Sequence, residues 1–242
     1  MTRKPNKQTD GFSSPKSKRK TAANSSSIGT AADLFDWKTR EHKTFLSQGE
    51  LKFYYILRWQ DNVVDIKTQY PLDNQLVDKV IKKLSEDDTG KTDVTELMNL
   101  ADIDVIDDNR EPYTTDMLAI LKDGTCKAFQ VKPTIQSINY PKIARRLLIE
   151  QAYFRELKIP WQIIYADEIN NDYYQNIRSA VQFYDPKECH NDISKFQCLV
   201  SHKLVDLDME SSLVDWKKET QKYLDAHDGV ISLKGVILID QQ

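Results

Sequence analysis

Asp-Met-Leu-Ala-Ile-Leu-Lys at 116–122, Asp-Gly-Thr at 123–125 and Cys-Lys-Ala-Phe-Gln-Val-Lys at 126–132 read as two strands joined by a tight turn. The apolar run from Met117 to Leu121 is too short for a core helix, and Asp123-Gly124 is a strong hairpin signal. Beyond the turn, Phe129 and Val131 point to one face of the second strand while Gln130 and Lys132 point to the other.

Parity then decides what the hairpin can do. A two-residue loop at 123–124 pairs position 116 with 131 and sends Asp116 to the face opposite Gln130 and Lys132. A three-residue loop at 122–124, with Gly124 left-handed, pairs 116 with 130 and brings a carboxylate, an amide and an ammonium to one patch. Such a patch suits metal-assisted phosphodiester hydrolysis, which needs oxygen ligands for Mg²⁺ and a cation near the attacking water and the phosphate. The competing reading is an amphipathic hairpin with an ordinary solvated face.

Working outward, the net charge of -3 over 242 residues hides an uneven distribution. Residues 1–30 hold seven Lys and Arg against Asp10, a charge of +6, so the remainder carries -9. That arm is rich in Ser, Thr, Pro and Asn and nearly free of apolar residues, so it is expected to be a disordered basic tail. It is read either as a contact for nucleic-acid phosphates or as a solubilising tail. No apolar run approaches a membrane span and the start lacks a signal-peptide core, which predicts a soluble intracellular protein with no membrane partner. Cys126, Cys189 and Cys198 form no disulfide framework; Cys189, His190, Cys198 and His202 cluster in sequence, but at no common zinc spacing. A Gly-rich phosphate loop, a nucleophile elbow and internal repeats are all missing.

Along the chain, 31–46 reads as an irregular basic lead-in. A helix follows from Ser47 as N-cap to Trp59, with Glu50 three residues on as the capping-box partner and Leu46 and Leu51 as a hydrophobic staple; a capping glutamate needs no catalytic role. Residues 63–71 read as a strand ended by Pro71, and 72–111 as a polar insertion with helices at 77–84 and 94–100. A helix with Pro141 in its first turn is expected over 140–157, carrying Arg145, Arg146, Glu150 and Arg155, then a buried strand over 159–166. Helix, strand, hairpin, helix, strand make an α/β arrangement with the patch in a mixed sheet. Beyond it, 211–226 reads as an amphipathic helix capped by Gly229, and 230–233 with 236–239 as a two-stranded wing about Lys234-Gly235.

Leu-Ser-Gln-Gly-Glu at 46–50, Val-Val-Asp-Ile-Lys-Thr-Gln-Tyr-Pro-Leu at 63–72, Thr-Thr-Asp at 114–116, Gln-Val-Lys-Pro at 130–133 and Ile-Pro-Trp at 159–161 stand in line. In order, spacing and flanks they resemble the TnsA endonuclease subunit of heteromeric transposases, over about residues 35–178. The resemblance implies a restriction-endonuclease-like fold, with a nuclease domain at 31–178 and a small helical, winged-helix-like partner-binding domain at 179–242. It implies catalytic Glu50, Asp116, Gln130 and Lys132, with Gln-x-Lys in place of the Glu-x-Lys or Asp-x-Lys of ordinary restriction enzymes.

It further implies two Mg²⁺ ions, with Mn²⁺ as a substitute, held by Glu50, Asp116, Gln130 and the Val131 backbone carbonyl, and Lys132 positioning the water. The implied partners are transposon-end DNA, a DDE-type transposase TnsB and an AAA+ ATPase TnsC, the latter through the C-terminal domain. The implied setting is the bacterial cytoplasm and nucleoid. The expected activity is cleavage of the non-transferred 5′ strand at transposon ends during cut-and-paste transposition. Two alternatives stand beside it: a free-standing restriction or repair nuclease of the same fold, and an inactive adaptor between transposase and ATPase. DNA binding through the C-terminal region is opposed by its acidity.

Overall fold

The computed structural model of the chain describes residues 31–86 and 113–239. The expected basic tail at 1–30 and the expected helix at 94–100 lie outside the described residues. Two short strands, β1 (Ala32–Phe35) and β2 (His42–Phe45), pair where an irregular lead-in was expected. They are too short and too charged to announce themselves by alternation. Helix α1 (Gln48–Trp59) follows, then β3 (Val63–Pro71), α2 (Asn74–Glu86), β4 (Thr114–Leu121) and β5 (Cys126–Lys132). A single 3₁₀ turn (Ile135–Asn139) leads into α3 (Pro141–Glu156) and β6 (Trp161–Tyr165).

The described residues form two compact units: 31–34, 43–51, 60–86 and 113–168 in the first; 35–42, 52–59 and 169–239 in the second. The division falls after Glu168, and α1 gives its first turn to one unit and the rest to the other.

The first unit is built on a four-stranded mixed sheet in the order β3-β4-β5-β6, with β3, β4 and β5 antiparallel and β5 parallel to β6. The parallel pair requires a crossover, supplied by α3. One side of the sheet is dry because α2 and α3 cover it: Tyr70, Leu72, Val77, Leu118, Ala128, Ile149, Tyr153 and Phe154 make the core cluster there. Hairpin register is fixed at the turn. Leu121 N–H donates to Thr125 O and Gly124 N–H to Leu121 O, each at 2.9 Å, so 122–124 is a three-residue loop and Gly124 is left-handed at φ +81°. The pairing Met117↔Phe129, Leu118↔Ala128, Ala119↔Lys127 and Ile120↔Cys126 continues to Asp116 opposite Gln130.

In the second unit, α4 (Asn171–Val181), α5 (Asp192–Ser201), α6 (Trp216–Ala226) and α7 (Lys234–Ile239) are the α-helices that follow the sheet among the described residues. The expected wing is α7 instead. Lys234-Gly235 is not a turn but the helix start, and Val236 is fully buried; an unbroken Val-Ile-Leu-Ile run carries no alternation, so packing decides its form. The expected helix over 211–226 begins only at Trp216, where Asp215 caps it by accepting Lys218 N–H. Before it, buried Asn176 holds the chain by donating to Met209 O and Ser212 O and accepting from Val214 N–H. The residues singled out for a zinc reading are used otherwise: His202 bonds to Tyr184 O through Nε2 and stacks on that ring, and Cys198 is buried. Also in this unit, buried Asp36 pairs with Arg58 and accepts a hydrogen bond from Tyr54. Among the described residues, no helix is long and apolar enough to cross a membrane.

Nothing lies within 4 Å of a Cβ built on Gly124, so the requirement for glycine there is purely conformational. Gly124→Val is expected to lower stability by roughly 1–2 kcal/mol or somewhat more, the cost of a β-branched residue at positive φ. Urea denaturation checks this; an unchanged midpoint would show that the loop does not set the register.

Candidate active site

Beyond Met117↔Phe129 the ladder between β4 and β5 gives way to side chains. Asp116 N–H donates to Gln130 Oε1 at 3.2 Å, and Val131 N–H donates to Asp116 Oδ2 at 2.7 Å. Thr115 Oγ1 donates to Phe129 O nearby. Two polar side chains thus take the place of backbone pairing, and buried backbone groups stay satisfied. Lys132, two residues after Gln130, shares its face, and its charge acts on the Asp116 carboxylate. Among the described residues Lys132 makes no ion pair.

Glu50 comes to the same place from the first turn of α1. Ser47 Oγ accepts Glu50 N–H at 3.2 Å, and Glu50 returns the contact through Oε1 to the Ser47 hydroxyl and through Oε2 to Leu46 N–H, both at 3.0 Å. It is therefore a capping residue, bonding the backbone one residue earlier than the usual capping box does. It is also buried beside Asp116. The helix start can lie this deep because position 49 is glycine: a Cβ there would stand 2.7 Å from Ala166 Cβ.

Three further residues belong to the site although no role was read for them in the sequence. Gln69 on β3 lies between Thr68↔Met117 and Tyr70↔Thr115, hence opposite Asp116. Its Nε2 donates to Glu50 Oε2 at 2.9 Å, its amide favours the charged form of the neighbouring Asp116 carboxyl, and its Oε1 takes a long 3.5 Å bond from Thr114 Oγ1. Arg146 and Glu150 come from α3: Arg146 Nε donates to Glu150 Oε1 at 3.1 Å and its Nη2 to Thr114 O at 2.8 Å. Glu150 is wholly buried, and its Oε2 has no hydrogen-bond partner. The signal for it was a charge on the helix face that also carries Leu147 and Phe154.

Three carboxyl groups are thus buried here, and the charge of Asp116 acts on both of the others. Burial, reinforced by the neighbouring Asp116 charge, pushes Glu50 up to about 7. Burial also pushes Glu150 up to about 7 against the opposing pull of Arg146. Asp116 is likewise raised by burial, although Lys132 and the Val131 N–H favour its charged form. Carboxyls held in this state are poised to exchange a proton for a cation. Among the described residues no group of three or more His, Cys, Asp or Glu side chains is arranged to hold a metal ion. The donors that converge here are two acids, an amide oxygen and backbone, a set of hard oxygens suited to Mg²⁺ rather than zinc. A cleft in the second unit, with Trp59, Lys203, Asp206, Asp208 and Glu210 on its wall, brings together no comparable group of buried acids.

Residues 60–166 match the family model described as TnsA-like endonuclease N terminal. That span includes Gln69, Asp116, Gln130, Lys132 and Glu150, and begins after Glu50. The chain is also 28% identical over 153 residues to an Escherichia coli protein named transposon Tn7 transposition protein TnsA, covering 62% of this chain and 50% of that protein. It spans about half the length of that curated relative.

Because Glu50, Asp116 and Glu150 are raised, their contribution to stability is present below the unfolded carboxylate range and is lost as pH rises, for Glu50 and Glu150 through about 7. Asp36 and Asp65 are lowered, despite burial, by bonds from Tyr54 and Lys67 and by the charges of Arg58 and Lys43; theirs is lost only in acid. In EDTA the melting temperature is expected to fall between about pH 5 and 8, and added Mn²⁺ to restore it increasingly toward the alkaline end. Calorimetry over that range checks it; a melting temperature that rises with pH in EDTA would contradict it.

Proposed function

We propose, from the match of residues 60–166 to the TnsA-like endonuclease model and from the site geometry, that the chain is the metal-dependent endonuclease subunit of a heteromeric transposase, with a restriction-endonuclease-like fold. It cuts the non-transferred 5′ strand at transposon ends. The observation that carries this reading is the convergence of buried Glu50 and Asp116 with Gln130 and Lys132 across the opened end of the hairpin.

Glu50 and Asp116, with the Gln130 amide oxygen and the Val131 carbonyl, would hold Mg²⁺, with Mn²⁺ as a substitute. The bound ion supplies charge to the scissile phosphate and lowers the pKa of the attacking water. The chain's own residues do the rest. Asp116 is fixed by the Val131 N–H, so its other oxygen faces the pocket with its orientation set. Glu50 Oε2 is occupied by Leu46 N–H and Gln69, which leaves Oε1 the freer ligand atom. Lys132, charged and unpaired, is the group to orient the water and to meet charge developing on phosphate. Arg146, pinned to Glu150 and Thr114 O, keeps a second cation beside the carboxylates.

DNA ends, a DDE transposase of the TnsB type and an AAA+ ATPase of the TnsC type are the partners this reading requires. The adaptor alternative is disfavoured because an adaptor has no use for three buried, destabilising carboxyls, and the free-standing alternative because no separate sequence-reading element accompanies the domain among the described residues.

Asp116→Asn is the informative variant, because its amide oxygen still accepts the Val131 N–H while the ligand charge is gone. With Mg²⁺, end-containing DNA and the transposase, it is expected to lose cleavage by a factor of at least about 10² while melting within a few degrees of the parent. Cleavage that persists in EDTA, or in this variant, would sink the proposal. Cleavage of any DNA without the transposase would favour the free-standing nuclease.

A further inference from the structure

Gln69 is a glutamine in the middle of a strand, 2% exposed, with a left-handed backbone at φ +47°. Left-handed φ is rare for a non-glycine residue, and a strand offers no local reason for it. Turn residues adopt it to reverse the chain; here β3 runs straight on to Pro71 in the same register. The conformation instead serves the side chain. The Gln69 amide donates to Glu50 Oε2 at 2.9 Å and its oxygen takes the Thr114 hydroxyl, while its place on β3, between the pairs Thr68↔Met117 and Tyr70↔Thr115, sets it directly opposite Asp116.

We propose that Gln69 is the positioning residue of the site, a neutral donor that holds Glu50 from the strand position opposite Asp116 and so fixes the separation of the two acids, so that a divalent cation meets a preformed oxygen pair. This rests on the nuclease reading given above. Glu50 stands on a helix and Asp116 on a strand, so nothing in either element fixes one carboxylate relative to the other. An amide is the right chemistry for joining them. A cation such as Lys would neutralise the acids and compete with the metal, and a carboxylate would repel both. The amide's oxygen is anchored by Thr114, which in turn receives Arg146 Nη2 at 3.5 Å, so the donor is held facing Glu50.

The test uses the full-length protein without DNA, titrated with Mn²⁺ by calorimetry, so that metal binding is read apart from turnover. Gln69→Met keeps the volume and removes the donors; Gln69→Gly removes them while relieving the backbone. Both are expected to weaken Mn²⁺ binding by about tenfold or more, as loss of groups that orient metal ligands does. Gln69→Gly is expected to melt at or above the parent in EDTA, which a merely structural role would not allow. Binding in both variants to within a factor of about two of the parent would overturn the inference, whatever the melting shows. Asp116→Asn is the reference. Should the parent take up Mn²⁺ no better than that variant, the metal-site reading itself fails and this inference with it.

Discussion

The first unit depends on one constraint: three carboxyl groups from a helix start, a central strand and a crossover helix are kept out of water beside each other. Like charges withdrawn from water repel far more strongly than they would in it. The chain meets this with donors. Leu46 N–H, the Ser47 hydroxyl and Gln69 serve Glu50; Val131 N–H and the Lys132 charge serve Asp116; Arg146 serves one oxygen of Glu150. The donors come from the turn before α1, from β3, from β5 and from α3. The elements are consequently tied to one another through the site, and the end of the β4–β5 ladder is where the tie is made.

Much of this was legible in the sequence, and the reason is local. The hairpin register follows from one glycine and from the period of two: given Gly124 in a three-residue loop, the positions of Asp116, Gln130 and Lys132 on one face are arithmetic. The start of α1 at Ser47 is likewise written in Ser-x-x-Glu. What escaped depends on contacts distant in sequence. Gln69 sits 47 positions before Asp116 and 19 after Glu50, and nothing about a glutamine in a strand announces a left-handed backbone. Glu150 was visible only as a charge on an apolar helix face. The C-terminal wing failed for the opposite reason: Val236 to Ile239 has strong apolar content and no period, so the sequence allows two forms and packing chooses one.

The hydrophobic setting and the polar site are also not separable. Leu118 and Ala128, on the face that meets α2 and α3, alternate with Met117 and Phe129 along the same strands that carry Asp116 and Gln130. By the period of two they share that face with Asp116, Gln130 and Lys132, so a slip of one residue would turn the apolar and the polar set together away from Tyr153, Phe154 and Glu150 of α3. The core therefore enforces the register that the turn selects, and the site inherits its precision from both.

This also accounts for the amide at position 130. Its oxygen accepts the Asp116 N–H, a task that a glutamate oxygen would perform as well or better. The difference is charge. Glu50, Asp116 and Glu150 already face only Lys132 and Arg146, so the pocket with every group ionised carries one uncompensated negative charge. A fourth carboxylate would double that excess in a place where three acids already resist ionising. With an amide, the ligand oxygen is kept and the charge is not added. Gln130 on β5 and buried Glu150 on α3 are complementary in that sense: the charge absent from the strand stands on the helix.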